Sequence, residues 1–177
     1  MKNILAATVA LLAGQFATGQ LKPQNQGSAV SFTIRNFGIG IQGNLTGLLG
    51  NVDFNPQHPE TAHFDVSVDA STVNTDNSLR DSHLRNDDYF DVRNYPRIRL
   101  VSTGIRATGK PGMYLFTGQL TIKDVTRPIS FPFTVKPAGS GLNFAGSFDI
   151  RRKDFHVGGT STISDELTVT LNVLAVK

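Results

Sequence analysis

A regular alternation of apolar and polar residues is the feature that most constrains how this chain folds. "AVSFTIR" (29–35) and "AHFDVSVDA" (62–70) place a large apolar side chain at every second position, and later stretches up to Val173 repeat the pattern. Successive side chains of a β-strand point to opposite faces, so this period predicts strands with one wet face and one dry face. Such strands pair antiparallel. The sequence therefore predicts an all-β fold.

Turn-forming clusters separate these stretches and limit the architecture. "GKPGM" (109–113) and "KPAGSG" (136–141) are two examples, and together the clusters delimit about eight strands. Helical segments do not alternate with the strands, which excludes a parallel α/β design. A closed antiparallel barrel and a two-sheet sandwich both remain. Because no linker or internal repeat interrupts the chain, we predict a single domain over 20-177.

The first residues have the pattern of a cleaved export signal. One charge, Lys2, precedes an apolar run over 4–17, and Ala17 and Gly19 supply small residues for a peptidase. This run is too short for a transmembrane anchor, so we predict a signal peptide over 1-19 and a periplasmic or secreted protein. The chain contains no cysteine. An exported chain without disulfides depends on its hydrophobic core for stability.

The dry face of the predicted strands is aromatic and uncharged. Gly118 and Gly146 also fall on this face, where a solid core would favour a larger side chain, and the chain has no tryptophan. An eight-stranded barrel can be filled by its own side chains or leave room for one small ligand. Because an uncharged aromatic wall cannot compensate the desolvation of a charge, a cavity here would select an apolar ligand. The phenylalanines predicted to face inward are Phe32, Phe54, Phe64, Phe116, Phe131, Phe133, Phe144 and Phe148.

The segment "TDNSLRDSHLRNDDYF" (75–90) loses the period of two and contains helix-forming residues. Asp76 or Asn77 can cap a helix here, and Ser78 and Asp81 have the spacing of a loose capping box. We predict a short helix or helical loop across one end of the strands. Its charged residues have two interpretations, an ion-pair network that pins the helix or a set of ligand contacts. These residues are Arg80, Asp81 and Arg85.

Candidate chemistry is sparse. The four histidines are far apart in the sequence and share no metal-ligand spacing, so we predict no metal site. We also predict no cofactor and no catalytic residue. Asp81 and His83 are the one acid–base pair that an enzyme could use. The net charge of +3 is small, and basic residues alternate with acidic ones, which argues against a nucleic-acid partner.

Several segments resemble one known family in order along the chain. These are "VSFTIRNFGI" (30–39), "FDVSVDASTVNTDNSLRDSHLRNDDYFDVRNYPRIRL" (64–100), "FTGQLTIKDVTRPI" (116–129) and "SDELTVTLNV" (164–173). They resemble the YceI-like family of polyisoprenoid-binding proteins, and the run over 80–96 is the most specific part. The resemblance implies an exported, eight-stranded, lipocalin-like antiparallel barrel with a short helix at one end. It also implies a carrier or store for a long-chain isoprenoid or similar amphiphile.

With that barrel, the predicted site has two parts. Arg80, His83 and Arg85 would converge on a polar or phosphorylated head group at the mouth. The expected partner is an isoprenoid or fatty-chain lipid, and transient membrane contact and a homodimer are compatible with it. The alternatives are a stress-related structural module with a filled core and an enzyme using Asp81 and His83.

The second part of the predicted site is the cavity wall. It comprises Phe32, Ile34, Phe64, Val66, Leu84, Phe90, Leu100, Phe116, Leu120, Phe131, Phe133 and Phe148.

Overall fold

The computed structural model describes residues 19–160 and 162–177, so most of the predicted signal peptide lies outside the described residues. The described chain forms a single antiparallel sheet with one α-helix. Its elements are β1 (Gln20–Pro23), β2 (Ala29–Asn36), β3 (Ile39–Asp53), β4 (His63–Asn74), α1 (Ser78–Arg85), β5 (Arg97–Ala107), β6 (Met113–Ile122), β7 (Val125–Ala138), β8 (Gly141–Arg151) and β9 (Ile163–Val176). No helix in these two ranges is long and apolar enough to cross a membrane.

The sheet closes on itself as a barrel. Consecutive strands pair from β2 to β9, β3 also pairs with β4, and β2 pairs with β9. β1 and β2 together occupy one strand position between β3 and β9. Leu21 of β1 lies opposite Val52, and Val30 of β2 lies opposite Leu45, so both strands pair with β3. The barrel therefore has eight strand positions. The predicted eight-stranded antiparallel barrel is confirmed, and the sandwich alternative is excluded.

The gap between β1 and β2 is closed by side chains. The carboxamide oxygen of Asn25 accepts a hydrogen bond from the backbone N–H of Leu48 at 2.8 Å. The hydroxyl of Ser28 accepts one from the backbone N–H of Leu174 at 2.9 Å. Both N–H groups belong to the neighbouring strands, and each would otherwise lack its sheet partner. β1 was not predicted, because four residues ending in Pro23 are too few to show a period.

Glycines in β3 allow it to bend against β4. Gly47 and Gly50 have positive φ angles of 70° and 127°, and the register with β4 shifts between Asn44 and Leu49. A Cβ on Gly50 would lie 2.1 Å from the carbonyl oxygen of Asp65, so only glycine permits this close approach. Such irregularities bend a strand sharply, and here they let β3 contact both β2 and β4 to close the barrel.

One end of the barrel is solid. Five rings pack there, mostly edge to face, with centroid separations of 5.0 Å for Phe54–Tyr114 and 5.4 Å for Phe64–Phe144. We call this cluster the aromatic plug: Phe54, Phe64, Tyr114, Phe133 and Phe144. β4 runs away from it, from Phe64 in the plug to Asn74, just before α1. The plug and α1 therefore lie at opposite ends of the barrel.

Gly118 and Gly146 make room for rings. A Cβ on Gly118 would lie 2.6 Å from the ring of Phe116, and a Cβ on Gly146 would lie 3.2 Å from the ring of Phe131. The interpretation of these glycines as a sign of empty space is therefore wrong for Gly118, whereas Gly146 lies on the wall of an interior cavity. They let the Phe116 and Phe131 rings stack, with centroids 4.9 Å apart.

Candidate ligand-binding cavity

A cavity of about 460 Å³ fills the barrel interior between the aromatic plug and α1. This volume lies in the usual range for small-molecule sites, roughly 300–1,000 Å³. Inward-facing side chains of the strands form its wall, and α1 contributes Leu79 and Leu84 at the mouth. The filled-core alternative is thus right for one end of the barrel and wrong for the other. All twelve residues predicted for the wall lie on it: Phe32, Ile34, Phe64, Val66, Leu84, Phe90, Leu100, Phe116, Leu120, Phe131, Phe133 and Phe148.

Other wall residues were not predicted. β9 contributes Ile163 and four residues that the alternation had already placed on one face, Leu167, Val169, Leu171 and Val173. Their signal was therefore present in the sequence. Tyr89 and Val157 also line the cavity, but they come from irregular segments, where no period shows which side chains point inward.

The charged side chains of the wall are all cationic. Arg80, Arg99 and Arg152 line the cavity together with His83, and the described part of the wall includes no Asp or Glu. Arg99 is committed to the Asp65 carboxylate, with nitrogen–oxygen distances of 2.8 and 2.6 Å. Arg152 is buried and donates to backbone carbonyls of the β8–β9 connection, including that of Val157 at 2.8 Å. Arg80 and His83 are then the basic side chains placed to meet a ligand.

A buried network orients Arg80. Its Nε donates to the Thr75 hydroxyl at 2.7 Å, and its Nη2 donates to the Thr75 carbonyl at 2.7 Å. The same hydroxyl donates to Asp81 Oδ1 at 2.6 Å, and the Thr75 backbone N–H donates to that oxygen at 2.9 Å. Thr75 and Asp81 are both buried. The guanidinium is therefore held at the wall by Thr75, the residue directly after β4, and its Nη1 group is not used in this network.

Arg85 has a different role. Its Nε donates to the Ser71 carbonyl at 2.7 Å and its Nη2 to the Val73 carbonyl at 2.8 Å, and it is not among the wall residues. The predicted convergence of Arg80, His83 and Arg85 is therefore wrong for Arg85. On a helix of 3.6 residues per turn, side chains five apart point about 140° apart, whereas side chains three apart share a face. Arg80 and His83 therefore share a face, while Arg85 binds the backbone of β4.

The acid–base pair does not form. Asp81 Oδ1 accepts hydrogen bonds from Thr75, and residues two apart on a helix, such as Asp81 and His83, do not face each other. Asn77 caps the helix by accepting from the Arg80 backbone N–H at 3.0 Å, so the capping box predicted for Ser78 and Asp81 is also wrong. Hydrogen bonds to Thr75 and to backbone carbonyls hold α1, in place of the predicted ion pairs. Within the described ranges, no three His, Asp or Glu side chains are grouped to hold a metal ion.

Solved structures share this fold. Burkholderia cenocepacia BcnA superposes with a TM-score of 0.81 at 24% identity, covering 86% of this chain and 98% of its own. A polyisoprenoid binding domain from Saccharophagus degradans, implicated in plant cell wall breakdown, superposes with a TM-score of 0.71 at 14% identity, covering 88% and 97%. At these identities the likeness shows a common barrel.

Sequence comparison shows the family. A UPF0312 protein of Pseudomonas putida (strain W619) is 27% identical over 179 residues, which cover 96% of this chain and 93% of that protein. A UPF0312 protein of Ectopseudomonas mendocina is 29% identical over 171 residues, covering 89% and 88%. The model of the YceI-like domain matches residues 21–175, which confirms the resemblance seen in the sequence. The chain therefore belongs to the family of YceI-like domain proteins.

Proposed function

We propose that this protein is an exported carrier or store for a long-chain isoprenoid or similar amphiphilic lipid, acting in the periplasm or outside the cell. The apolar cavity of about 460 Å³ carries this proposal. The lipid tail occupies the space between the aromatic plug and α1, and the head group lies at the mouth. Each square ångström of apolar surface removed from water contributes about 25 cal/mol, so burial of the tail provides most of the affinity.

The character of the wall supports an isoprenoid. Aromatic and branched aliphatic side chains, such as Phe148, Ile34 and Leu171, surround the space and offer no partner to a polar chain. A polar group buried there would lose its hydrogen bonds to water without replacement. The related barrel from Saccharophagus degradans is a polyisoprenoid binding domain, which supports the same class of ligand.

The cationic residues at α1 favour a phosphate or another anionic head group. Arg80 is oriented by Thr75, and His83 lies one helical turn from it on the same face. A guanidinium can bond two oxygens of one phosphate, and such charge-assisted bonds are short and strong. The wall lacks carboxylates in the described residues, so an anion entering there meets no like charge. The site binds its ligand without covalent chemistry, because Asp81 is occupied by Thr75.

The direct test is to identify what the protein carries. Native mass spectrometry and organic extraction of the protein purified from its export compartment should reveal a prenyl lipid or a similar amphiphile. An empty cavity after reconstitution with prenyl alcohols and prenyl phosphates would contradict the proposal.

A matched pair of variants locates the ligand. Val169 faces the cavity from β9, and its neighbour Thr170 is exposed on the outer face of the same strand. We expect Val169→Asp to abolish loading, because an unpaired carboxylate on the apolar wall displaces the tail. Thr170→Asp should load normally. Equal loading by both folded variants, measured by native mass spectrometry, would show that the lipid binds elsewhere.

A further inference from the structure

Exposed apolar side chains gather at the mouth of the cavity. Among the described residues, the large apolar side chains left mostly exposed are Phe37 (78%), Ile39 (71%), Leu79 (68%) and Leu49 (61%). Leu79 lines the cavity from α1. Phe37 and Ile39 form the tip of the β2–β3 hairpin, directly between Asn36 and Ile41, which line the cavity as well. We call Phe37, Ile39 and Leu79 the apolar rim.

Phe37 is unfavourable at its position for two reasons. The two-residue turn of Phe37 and Gly38 has positive φ angles of 50° and 79°, the pattern of a type I′ turn. Asn or Asp is preferred at the first position of such a turn, whereas a bulky aromatic residue is an outlier there. Its ring is also exposed to water. A residue that is costly both in backbone strain and in solvation indicates selection for contact with another surface.

The charges beside the apolar rim identify that surface. Arg35 and His83 are exposed, and Arg80 and Arg85 are partly exposed. The exposed carboxylates next to α1 are Asp76, in the turn before it, and Asp87 and Asp88, which follow it on the side of Lys123, whereas Asp81 is buried against Thr75. Apolar side chains flanked by cations suit the interface of a bilayer that contains anionic lipids, where the apolar groups reach the acyl boundary and the cations meet head groups.

We propose that the apolar rim docks the barrel on an anionic phospholipid bilayer. Phe37, Ile39 and Leu79 enter the interface, so the cavity mouth faces the membrane and the lipid passes between bilayer and barrel without crossing water. This inference rests on the proposed function, because it names the surface from which the ligand is collected or to which it is delivered.

Vesicle binding tests the proposal. Vesicles of phosphatidylethanolamine with phosphatidylglycerol should co-sediment with the wild-type protein, and phosphatidylcholine vesicles should bind less. Phe37→Asn with Ile39→Thr removes two rim side chains and places the preferred residue in the turn, so the fold is retained. We expect this double variant to bind anionic vesicles roughly tenfold or more weakly, because two large apolar side chains no longer leave water. Leu49→Thr, an exposed apolar residue on β3 outside the cavity wall, is the matched control and should bind like the wild type.

A fluorescent reporter tests the geometry independently. The chain has no tryptophan, so Phe37→Trp and Leu49→Trp each introduce a single probe. We expect anionic vesicles to shift the emission of the first probe to the blue and to leave the second unchanged. An unchanged spectrum for both probes would overturn the proposal.

Loading in solution separates this inference from the proposed function. The double variant should load a prenyl alcohol added from solution as well as the wild type does, but should take up the same lipid from vesicles more slowly. If both proteins load the lipid normally and bind vesicles equally well, the docking proposal is wrong and the proposed function still stands. If the wild type sediments as a dimer and the double variant as a monomer, with no other difference between them, the rim is an interface between two copies. The docking proposal is then wrong. Failure of the wild type to load any lipid would refute the proposed function.

Discussion

Arg80 and Arg85 lie on the same eight-residue helix, but their guanidinium groups face different parts of the barrel. Arg80 binds Thr75 and lines the cavity, whereas Arg85 binds the carbonyls of Ser71 and Val73. Arg85 holds α1 to β4, Arg80 holds it to the residue directly after β4, and of the two only Arg80 is placed to contact a ligand. A change in stability therefore cannot separate their roles. The relative affinity for a phosphorylated and a neutral ligand can separate them.

We expect Arg80→Ala to weaken a prenyl phosphate by about 1.5–3 kcal/mol, the usual contribution of a hydrogen bond to a charged group. The same variant should scarcely change the affinity for the matching neutral alcohol, whose binding depends on apolar burial. Arg85→Ala should lower the melting temperature and leave the ratio of the two affinities unchanged. Calorimetric titration of both ligands against each variant measures this ratio. An equal loss for phosphate and alcohol in Arg80→Ala would assign that residue to helix anchoring alone.

At the scale of elements, β4 and β5 are joined by a partly exposed ion pair. The Arg99 guanidinium donates two hydrogen bonds to the Asp65 carboxylate and is the main cause that holds the pKa of Asp65 below its ordinary value. A carboxyl whose pKa is lowered on folding stabilises the folded state at pH values above its unfolded pKa, about 3.9. That contribution is lost as the pH falls through the lowered pKa.

Arg99→Met should therefore flatten the acid side of the stability profile. We expect a loss of roughly 0.2–1 kcal/mol at pH 7, as for other exposed pairs, and little difference from the wild type below the lowered pKa of Asp65. Part of the acid sensitivity should persist, because a hydrogen bond from the Ser71 side chain also lowers the pKa of Asp69. Urea unfolding between pH 2 and 7 provides the measurement. Parallel profiles for the two proteins would show that Asp65 gains nothing from Arg99.

On the scale of the whole molecule, the barrel interior is divided between packing and binding. Phe64, Phe133 and Phe144 belong both to the aromatic plug and to the cavity wall. They therefore form the floor of the cavity and limit how far a lipid tail can enter. A tail longer than the space above this floor must leave its last segment outside the barrel.

Shortening a side chain in this floor should shift the preference towards longer tails. We expect Phe144→Leu to favour a longer prenyl alcohol over a shorter one relative to the wild type, at a cost of about 1 kcal/mol in the free energy of unfolding. Phe155→Leu is the control, because Phe155 is equally buried in a separate cluster and does not line the cavity. It should cost similar stability and leave the preference unchanged. Native mass spectrometry of competing prenyl alcohols measures the preference. The same preference in both variants would contradict the division of the barrel interior between packing and binding.

The sequence alone determined which face of each regular strand is dry. Phe32, Leu120 and Phe148 could be assigned to the cavity wall because the direction of a strand side chain depends on its position in the local alternation. The start of α1 was also predictable from local sequence, because Asn77 caps the turn that directly follows it in the chain. The family was also readable, because the residues of the run over 80–96 are contiguous in the chain.

Tertiary structure decided everything that depends on which distant residues meet. The pairing of β3 with both β2 and β4, and the insertion of β1 beside β9, depend on the register and bends of separate strands. Gly118 faces inward in any register, but only the position of the Phe116 ring shows that its space is filled. Arg85 likewise has the same local sequence signal as Arg80, and the neighbouring β4 carbonyls determine where its guanidinium binds. Alternation is a local geometric property of the backbone, whereas the closure of a barrel and the volume left inside it depend on contacts between residues far apart in the chain.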